Sequence, residues 1–278
     1  MNLMSNRSEY LNYGGAELAA HIDQSRTLAY LKSLGYANGE LEQARAALAE
    51  RKVDTFTFDA LNSRYCDFCY DRIMGGEYEV LKDGRDRCSR CSRTALSTHD
   101  QFVDEFEQVR TNMELAFGIE LGVPLLVRMV NAREIARRTG ETFVATGGVD
   151  PRVLGFAQVK DGRHELFVEN GSPRLAAVAT MAHELTHIWQ FKSWSIPQIH
   201  AKYGRKNHLP VYEGMASWAQ VQYLLYTRDV DFAHRQHAYL LQREDEYGVG
   251  YRIFLERYPL NVDGDVWDES PFTNPFPL

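Results

Sequence analysis

The segment His183-Glu184-Leu185-Thr186-His187 constrains this chain more than any other part of it. It lies within residues 173–191, where apolar positions recur at helical spacing. Ser172 stands at the place of an N-cap and Pro173 at the first helical position. Helix residues four apart share a face, so His183 and His187 can present two imidazoles to one metal ion. Glu184 then stands beside that ion without bonding to it, where a carboxylate serves as base for a zinc-bound water. The alternative is a pair of helix histidines making ordinary hydrogen bonds beside a surface glutamate. The helical setting favours the metal.

A catalytic zinc needs three protein ligands and one open position. The metzincin pattern would place glycine three residues after His187 and histidine three further on, but Gln190 and Ser193 stand there. The other route is a glutamate from a later helix. Residues 209–225 read as that helix, with Pro210 near its start and Glu213 as the third ligand. Gly214 permits a close helix–helix approach, and Ser217, one turn on, can support the site. A carboxylate near a helix N-terminus is also favoured by the macrodipole alone. His200 and His208 are weaker rivals in a polar loop.

The chain has four cysteines, arranged as Cys66-x-x-Cys69 and Cys88-x-x-Cys91. About eighteen residues separate the pairs, the spacing of a four-cysteine structural zinc site. Such a closed shell leaves no position for a reactive water. Turns at Gly75-Gly76 and Asp83-Gly84 would set a small hairpin from residues 77–81 and 86–88. Two disulfides are the alternative, and they require an oxidising compartment. Residues 1–30 show no apolar core behind a basic start, so the expected setting is cytoplasmic.

The expected architecture is α+β, mostly helical with a small sheet. A helical segment spans residues 1–60, with a helical hairpin over 16–34 and 40–51. A zinc module spans 61–98 and a metallo-domain 99–278. Within the latter, helices are expected at 99–117 and 131–139, a buried strand at 124–130, and a hairpin from 153–160 and 163–169 about an Asp161-Gly162 turn. A strand beside the histidine helix can pair with an extended peptide. A net charge of −7 argues against general nucleic-acid binding, and no apolar run is long enough for a membrane span. The basic residues among 85–93 are read as offsetting thiolate charge. The C-terminal tail, with Phe272 and Phe276, is expected to dock on its own domain.

Several of these elements together resemble a family. They are the cysteine pairs with Leu81-Lys82-Asp83-Gly84-Arg85 between them, Thr98-His99, Pro173-Arg174-Leu175, Ala182-His183-Glu184-x-x-His187-x-Trp189, Glu213-Gly214, and Tyr247-Gly248-x-Gly250-Tyr251-Arg252. Over residues 64–252 the chain is similar to the plant LIM-domain, ubiquitin-activated zinc peptidases that restrict organ growth. The resemblance implies a gluzincin-type endopeptidase with a LIM-like module. His183, His187 and Glu213 would be its zinc ligands and Glu184 its general base. The family's LIM domain holds two zinc sites, whereas this chain has cysteines for one. Residues 40–51 also lack the acidic run of a ubiquitin-interacting helix, which weighs against ubiquitin as a regulatory partner.

These readings converge on a hydrolase with one catalytic and one structural zinc, acting on peptide bonds of protein or peptide substrates. Tyr251 is chosen from Tyr247, Tyr251, His234 and His237 as the donor to the developing oxyanion. Two other readings fit the same residues: a LIM-like interaction adaptor with an inactive metallo-domain, and a zinc hydrolase of non-peptide amides or esters.

Overall fold

Apolar stripes at spacings of three and four become helices, and alternating runs become short strands, in the computed structural model. It describes residues 64–69, 72–73, 78–82, 84–139, 154–204, 208–261, 266 and 269–273. The expected helical hairpin of residues 16–34 and 40–51 lies outside the described residues, as does Phe276. Tyr65–Asp71 and Gly75–Leu278 belong to one compact unit, so the cysteine turns and the histidine helix share one frame.

In chain order the elements are β1 (Tyr78–Val80), β2 (Asp86–Cys88), α1 (Ser89–Arg93), α2 (His99–Phe117), β3 (Leu125–Val130), α3 (Ala132–Thr139), β4 (Gly155–Lys160) and β5 (Arg163–Glu169). Then come α4 (Arg174–Ser193), α5 (Ile196–Tyr203), α6 (Leu209–Tyr226), α7 (Val230–Gln242), α8 (Glu246–Arg257) and a 3-10 turn at Pro271–Thr273. The result is a mostly helical α+β fold. No helix among the described residues is long and apolar enough to cross a membrane.

Local chemistry explains the boundaries. Thr98 and Gln101 form a reciprocal capping box at the start of α2, and Gly118 ends that helix in the left-handed region at φ 60°. Phe102, Phe106, Val109, Met113 and Phe117 make its buried stripe. Asp161 and Gly162 both take positive φ, the requirement of a tight turn between β4 and β5. Those strands pair antiparallel as expected, with Gly155 opposite Val168 and Lys160 opposite Arg163.

The three-stranded sheet runs β3-β5-β4, with β3 parallel to β5. That parallel pairing is not evident from strand patterning alone. It leaves β4 with one edge unpaired among the described residues, and β4 packs on α4.

Helix α4 is the centre of the molecule. From Ala176 to Gln190 nearly every side chain is buried, as befits a helix covered on all sides. Helix α6 packs against both α4 and α8. The α6–α8 contact is made main chain to main chain through Gly214 and Gly250: a Cβ at Gly214 would meet Gly250 Cα at 2.5 Å. Phe272 docks at home, its ring 4.8 Å from Phe117 and 5.0 Å from Trp189.

The start of α4 departs from the expected cap. Pro173 takes the N-cap position, and the buried Ser172 hydroxyl makes no hydrogen bond among the described residues. A main-chain ladder supplies the partners instead. Arg174 N donates to Thr94 O at 2.8 Å, Leu96 N to Ser172 O at 2.9 Å, and Gly171 N to Leu96 O at 3.0 Å. The residues just after Cys91 therefore hold the entrance of the histidine helix. A buried ion pair between Arg85 and Glu169 reinforces that junction.

Candidate metal centre

One turn of α4 separates His183 from His187, and Glu213 of α6 faces both. His183 Nε2 lies 3.1 Å from Glu213 Oε2, His187 Nε2 lies 3.4 Å from the same oxygen, and the two Nε2 atoms are 3.2 Å apart. Zinc bonds of about 2.0–2.2 Å at the tetrahedral angle put ligand atoms roughly 3.3–3.5 Å apart. The triangle fits one zinc ion. Its three donors are also the two-histidine, one-carboxylate set that leaves a fourth position open.

The protein around the triangle fixes its orientation. Gln190, three residues beyond His187 on the same helix, places Oε1 2.8 Å from His187 Nδ1. Gln190 Nε2 donates to Tyr212 O at 3.1 Å, so the amide is locked and the imidazole receives a fixed tautomer. The Tyr247 ring stacks on His183 with centroids 5.8 Å apart. Gly155 lets β4 approach: a Cβ there would stand 2.5 Å from Thr180 Cγ2 and 2.6 Å from Phe167 O.

Glu184 projects beside the triangle and is 5% exposed. Burial pushes its carboxyl up to about 8, with the Glu213 charge adding to it, against the opposing pull of His187 and the Ala157 amide. Burial also disfavours a charged His187, yet the Glu213 carboxylate outweighs it and raises His187 to about 9. Glu213 itself is held well below the usual carboxylate range: burial opposes its charge, and the two histidines more than offset that. Tyr247 stays protonated far above neutrality through burial, then through the charges of Glu213 and Glu184.

A cleft of about 490 Å³ opens over the group, a size typical of ligand sites. Glu184, His187, Tyr247 and the edge-strand residues Phe156 and Ala157 line it. Tyr251 is placed elsewhere. It is fully buried, with its hydroxyl 2.5 Å from His237 Nδ1, and it does not line the cleft. Burial, then the charge of His234, brings His237 down to about 4, so its imidazole is neutral and shares a hydrogen bond with the Tyr251 hydroxyl. Of the tyrosines considered as oxyanion donors, Tyr247 is the one the fold brings to the site.

Cys66, Cys69, Cys88 and Cys91 also converge, all four sulfurs lying within 4.8 Å of one another. They are free thiols. Cys69 Sγ and Cys88 Sγ are 3.8 Å apart, the edge expected for a tetrahedron with zinc–sulfur bonds of about 2.3 Å. Cys88 N donates to Cys66 Sγ at 3.4 Å, and Arg90 Nη2 lies 3.5 Å from Cys69 Sγ, so Arg90 offsets thiolate charge, whereas Arg85 and Arg87 of the same basic cluster pair with Glu169 and Glu79.

The chain thus carries two candidate metal sites, a four-cysteine group and a two-histidine, one-glutamate group. Gln190 and Gly155 were the supporting residues least visible in the sequence. The only signal for Gln190 is its i+3 relation to His187, and Gly155 carries none without the strand–helix contact. Comparisons with protein-family models, curated proteins and solved structures find no match.

Proposed function

We propose that the chain is a zinc-dependent endopeptidase of gluzincin type. In this reading residues 61–98 form a LIM-like structural zinc module, residues 99–278 the peptidase domain and residues 1–60 a helical segment. The observation that carries the proposal is the convergence of His183 Nε2, His187 Nε2 and Glu213 Oε2 at zinc-ligand spacing, with Glu184 beside them. The similarity to the plant LIM-domain peptidases supports it.

Zinc at this site would supply Lewis acidity, making a water acidic enough to ionise near neutral pH and polarising the substrate carbonyl. Glu184 accepts the proton of the attacking water and returns it to the leaving amine. Glu184 lines the cleft beside the three donors, within reach of a water held there. Tyr247, protonated and packed on His183, donates to the oxygen that becomes anionic. The free edge of β4 supplies main-chain donors and acceptors for an extended peptide, which favours a polypeptide substrate over a small amide.

The test is Glu184→Gln in the full chain. Zinc content should stay at about two per chain while peptide cleavage falls by about a hundredfold or more. Cleavage at the wild-type rate removes Glu184 from the mechanism. A wild-type chain that holds zinc only at the cysteines supports the adaptor reading instead.

A further inference from the structure

A second cavity, of about 100 Å³, opens beside the metal group. Helix periodicity sets its walls. On α4, Ala176, Ala179 and Thr180 share the face of His183. On α6, Ser217 and Gln220 follow Glu213 at four- and three-residue steps. Gln236 of α7 faces them, and Phe68, from the turn between Cys66 and Cys69, lines the same cavity. It therefore begins at His183 and Glu184 and lies against the cysteine module.

Its open hydrogen-bonding valences are specific. Ser217 is 1% exposed, and its Oγ has no hydrogen-bond partner among the described residues. A buried hydroxyl costs about 1–3 kcal/mol unless a water or a ligand pairs with it, and this one stands in the cavity wall beside the candidate metal ligands. Gln220 Nε2 donates to Gln236 Oε1 at 2.9 Å, and neither side chain makes another hydrogen bond among the described residues. Gln220 Oε1 is left to accept and Gln236 Nε2 to donate. Turning both amides over leaves the same kinds of group, an amide nitrogen with hydrogens to donate and an amide oxygen to accept.

The charged group in the wall is already matched. Arg243 Nε donates to both Asp245 oxygens at 3.0 Å, and its Nη1 to the Tyr239 hydroxyl at 3.3 Å. Thr180 Oγ1 is likewise engaged, donating to Ala176 O at 2.9 Å. What remains is a hydroxyl, an amide donor and an amide acceptor. A carboxylate cannot satisfy Gln220 Oε1, an ammonium cannot satisfy Gln236 Nε2, and an apolar side chain strands all three. A primary carboxamide satisfies them together. The volume equals that of roughly three waters, which suits one side chain of this size.

We propose that this cavity receives the substrate side chain next to the scissile bond and selects a carboxamide, glutamine or asparagine. The inference rests on the peptidase reading above.

The test uses the zinc-loaded full chain and a randomised peptide library, with cleavage sites read by sequencing. Glutamine and asparagine should be enriched at one position adjoining the cut. Matched peptides carrying Gln or Leu there should differ at least tenfold in kcat/KM. Ser217→Ala removes an orphaned hydroxyl and should fold as the wild type does, while lowering the Gln:Leu ratio by about tenfold. Gln236→Leu should bring the ratio below one. Cleavage without that preference, or wild-type ratios in both variants, overturns the pocket and leaves the peptidase reading standing. No cleavage of any peptide by the zinc-loaded wild type overturns both.

Discussion

Gly214→Ala sets helix propensity against site geometry. Alanine inside a helix is worth about 1 kcal/mol over glycine, so propensity alone makes the variant more stable. The contact with α8 says otherwise. A Cβ on Gly214 would stand 2.5 Å from Gly250 Cα and 2.6 Å from Gly250 O. Unbonded carbons settle at about 3.5–4.0 Å, so α6 and α8 must part by roughly 1 Å. Both sides of the contact are main chain, and neither can swing away. Overpacking of this kind costs about 1–3 kcal/mol; set against the gain of about 1 kcal/mol, it leaves a net loss of up to about 2 kcal/mol. For a domain of this size the Tm should fall by up to about 8 °C. The site should suffer more. Glu213 adjoins Gly214 and moves with α6, and its Oε2 sits 3.1 Å from His183 Nε2. Metal geometry tolerates about 0.2 Å, so zinc affinity at this group should drop at least tenfold while the cysteine group keeps its ion. Thermal unfolding and chelator competition with two resolved zinc steps read both effects. An unchanged or higher Tm together with wild-type affinity at both sites would refute the close-contact argument.

Three further outcomes follow from the same geometry. Gln190→Leu frees His187 Nδ1 from its 2.8 Å partner, so zinc affinity at the histidine group should fall about 10–100-fold with little change in Tm; equal affinity in a chelator titration rules out the amide as the orienting group. Arg85→Met takes the guanidinium from the buried Glu169 carboxylate and should cost about 3–5 kcal/mol in urea unfolding, with Arg85→Met/Glu169→Leu recovering most of it; a single variant as stable as the wild type would show the pair to be dispensable. In the metal-free chain, the raised Glu184 contributes stability below its usual 4.5 that is lost as pH rises through about 8. The raised His187 contributes stability below 6.5 that is lost through about 9. Zinc needs deprotonated ligands, so the Tm gap between zinc-loaded and metal-free protein should widen from about pH 6 to about pH 8.5, and a gap that narrows on calorimetry contradicts the assignment.

The candidate metal ligands were legible because each belongs to a local pattern. The histidine pair rides on one helix turn and the cysteines on two tight turns, so spacing alone brings their donors together. Glu213 was legible at one remove, through an expected second helix and the small Gly214 beside it. Tyr247 and Tyr251 lie four residues apart on α8, and nothing local decides which faces His183. The choice is made by the α6–α8 glycine contact and by His237, which takes the Tyr251 hydroxyl. The same limit applies to the sheet. The hairpin of β4 and β5 carries its own turn, whereas the parallel pairing of β3 with β5 depends on a crossover whose ends meet only in three dimensions. Ser172 had the chemistry of a cap, but its place was taken by main chain from residues 94–96, which no reading of the helix alone could supply.

That substitution of main chain for a side-chain cap links the two metal groups. Thr94 and Leu96 follow Cys91 within five residues, and they satisfy Arg174 N and pair with Gly171 and Ser172 at the mouth of α4. Arg85 and Arg87, from the strand leading to Cys88, reach Glu169 and Gly171 O on the other side of the same junction. Each buried donor or acceptor left unpaired would cost about 1–3 kcal/mol, and the uncompensated Glu169 charge more. The first residues of α4 are therefore anchored by the segment that follows the cysteine turns. His183 and His187 lie along that same helix, and α6, which packs on it, brings Glu213 to them. Phe68, held between Cys66 and Cys69, reaches the cavity beside His183 by the same route. The four-cysteine group and the histidine triangle are thus parts of one hydrogen-bonded frame, joined at the first residues of α4.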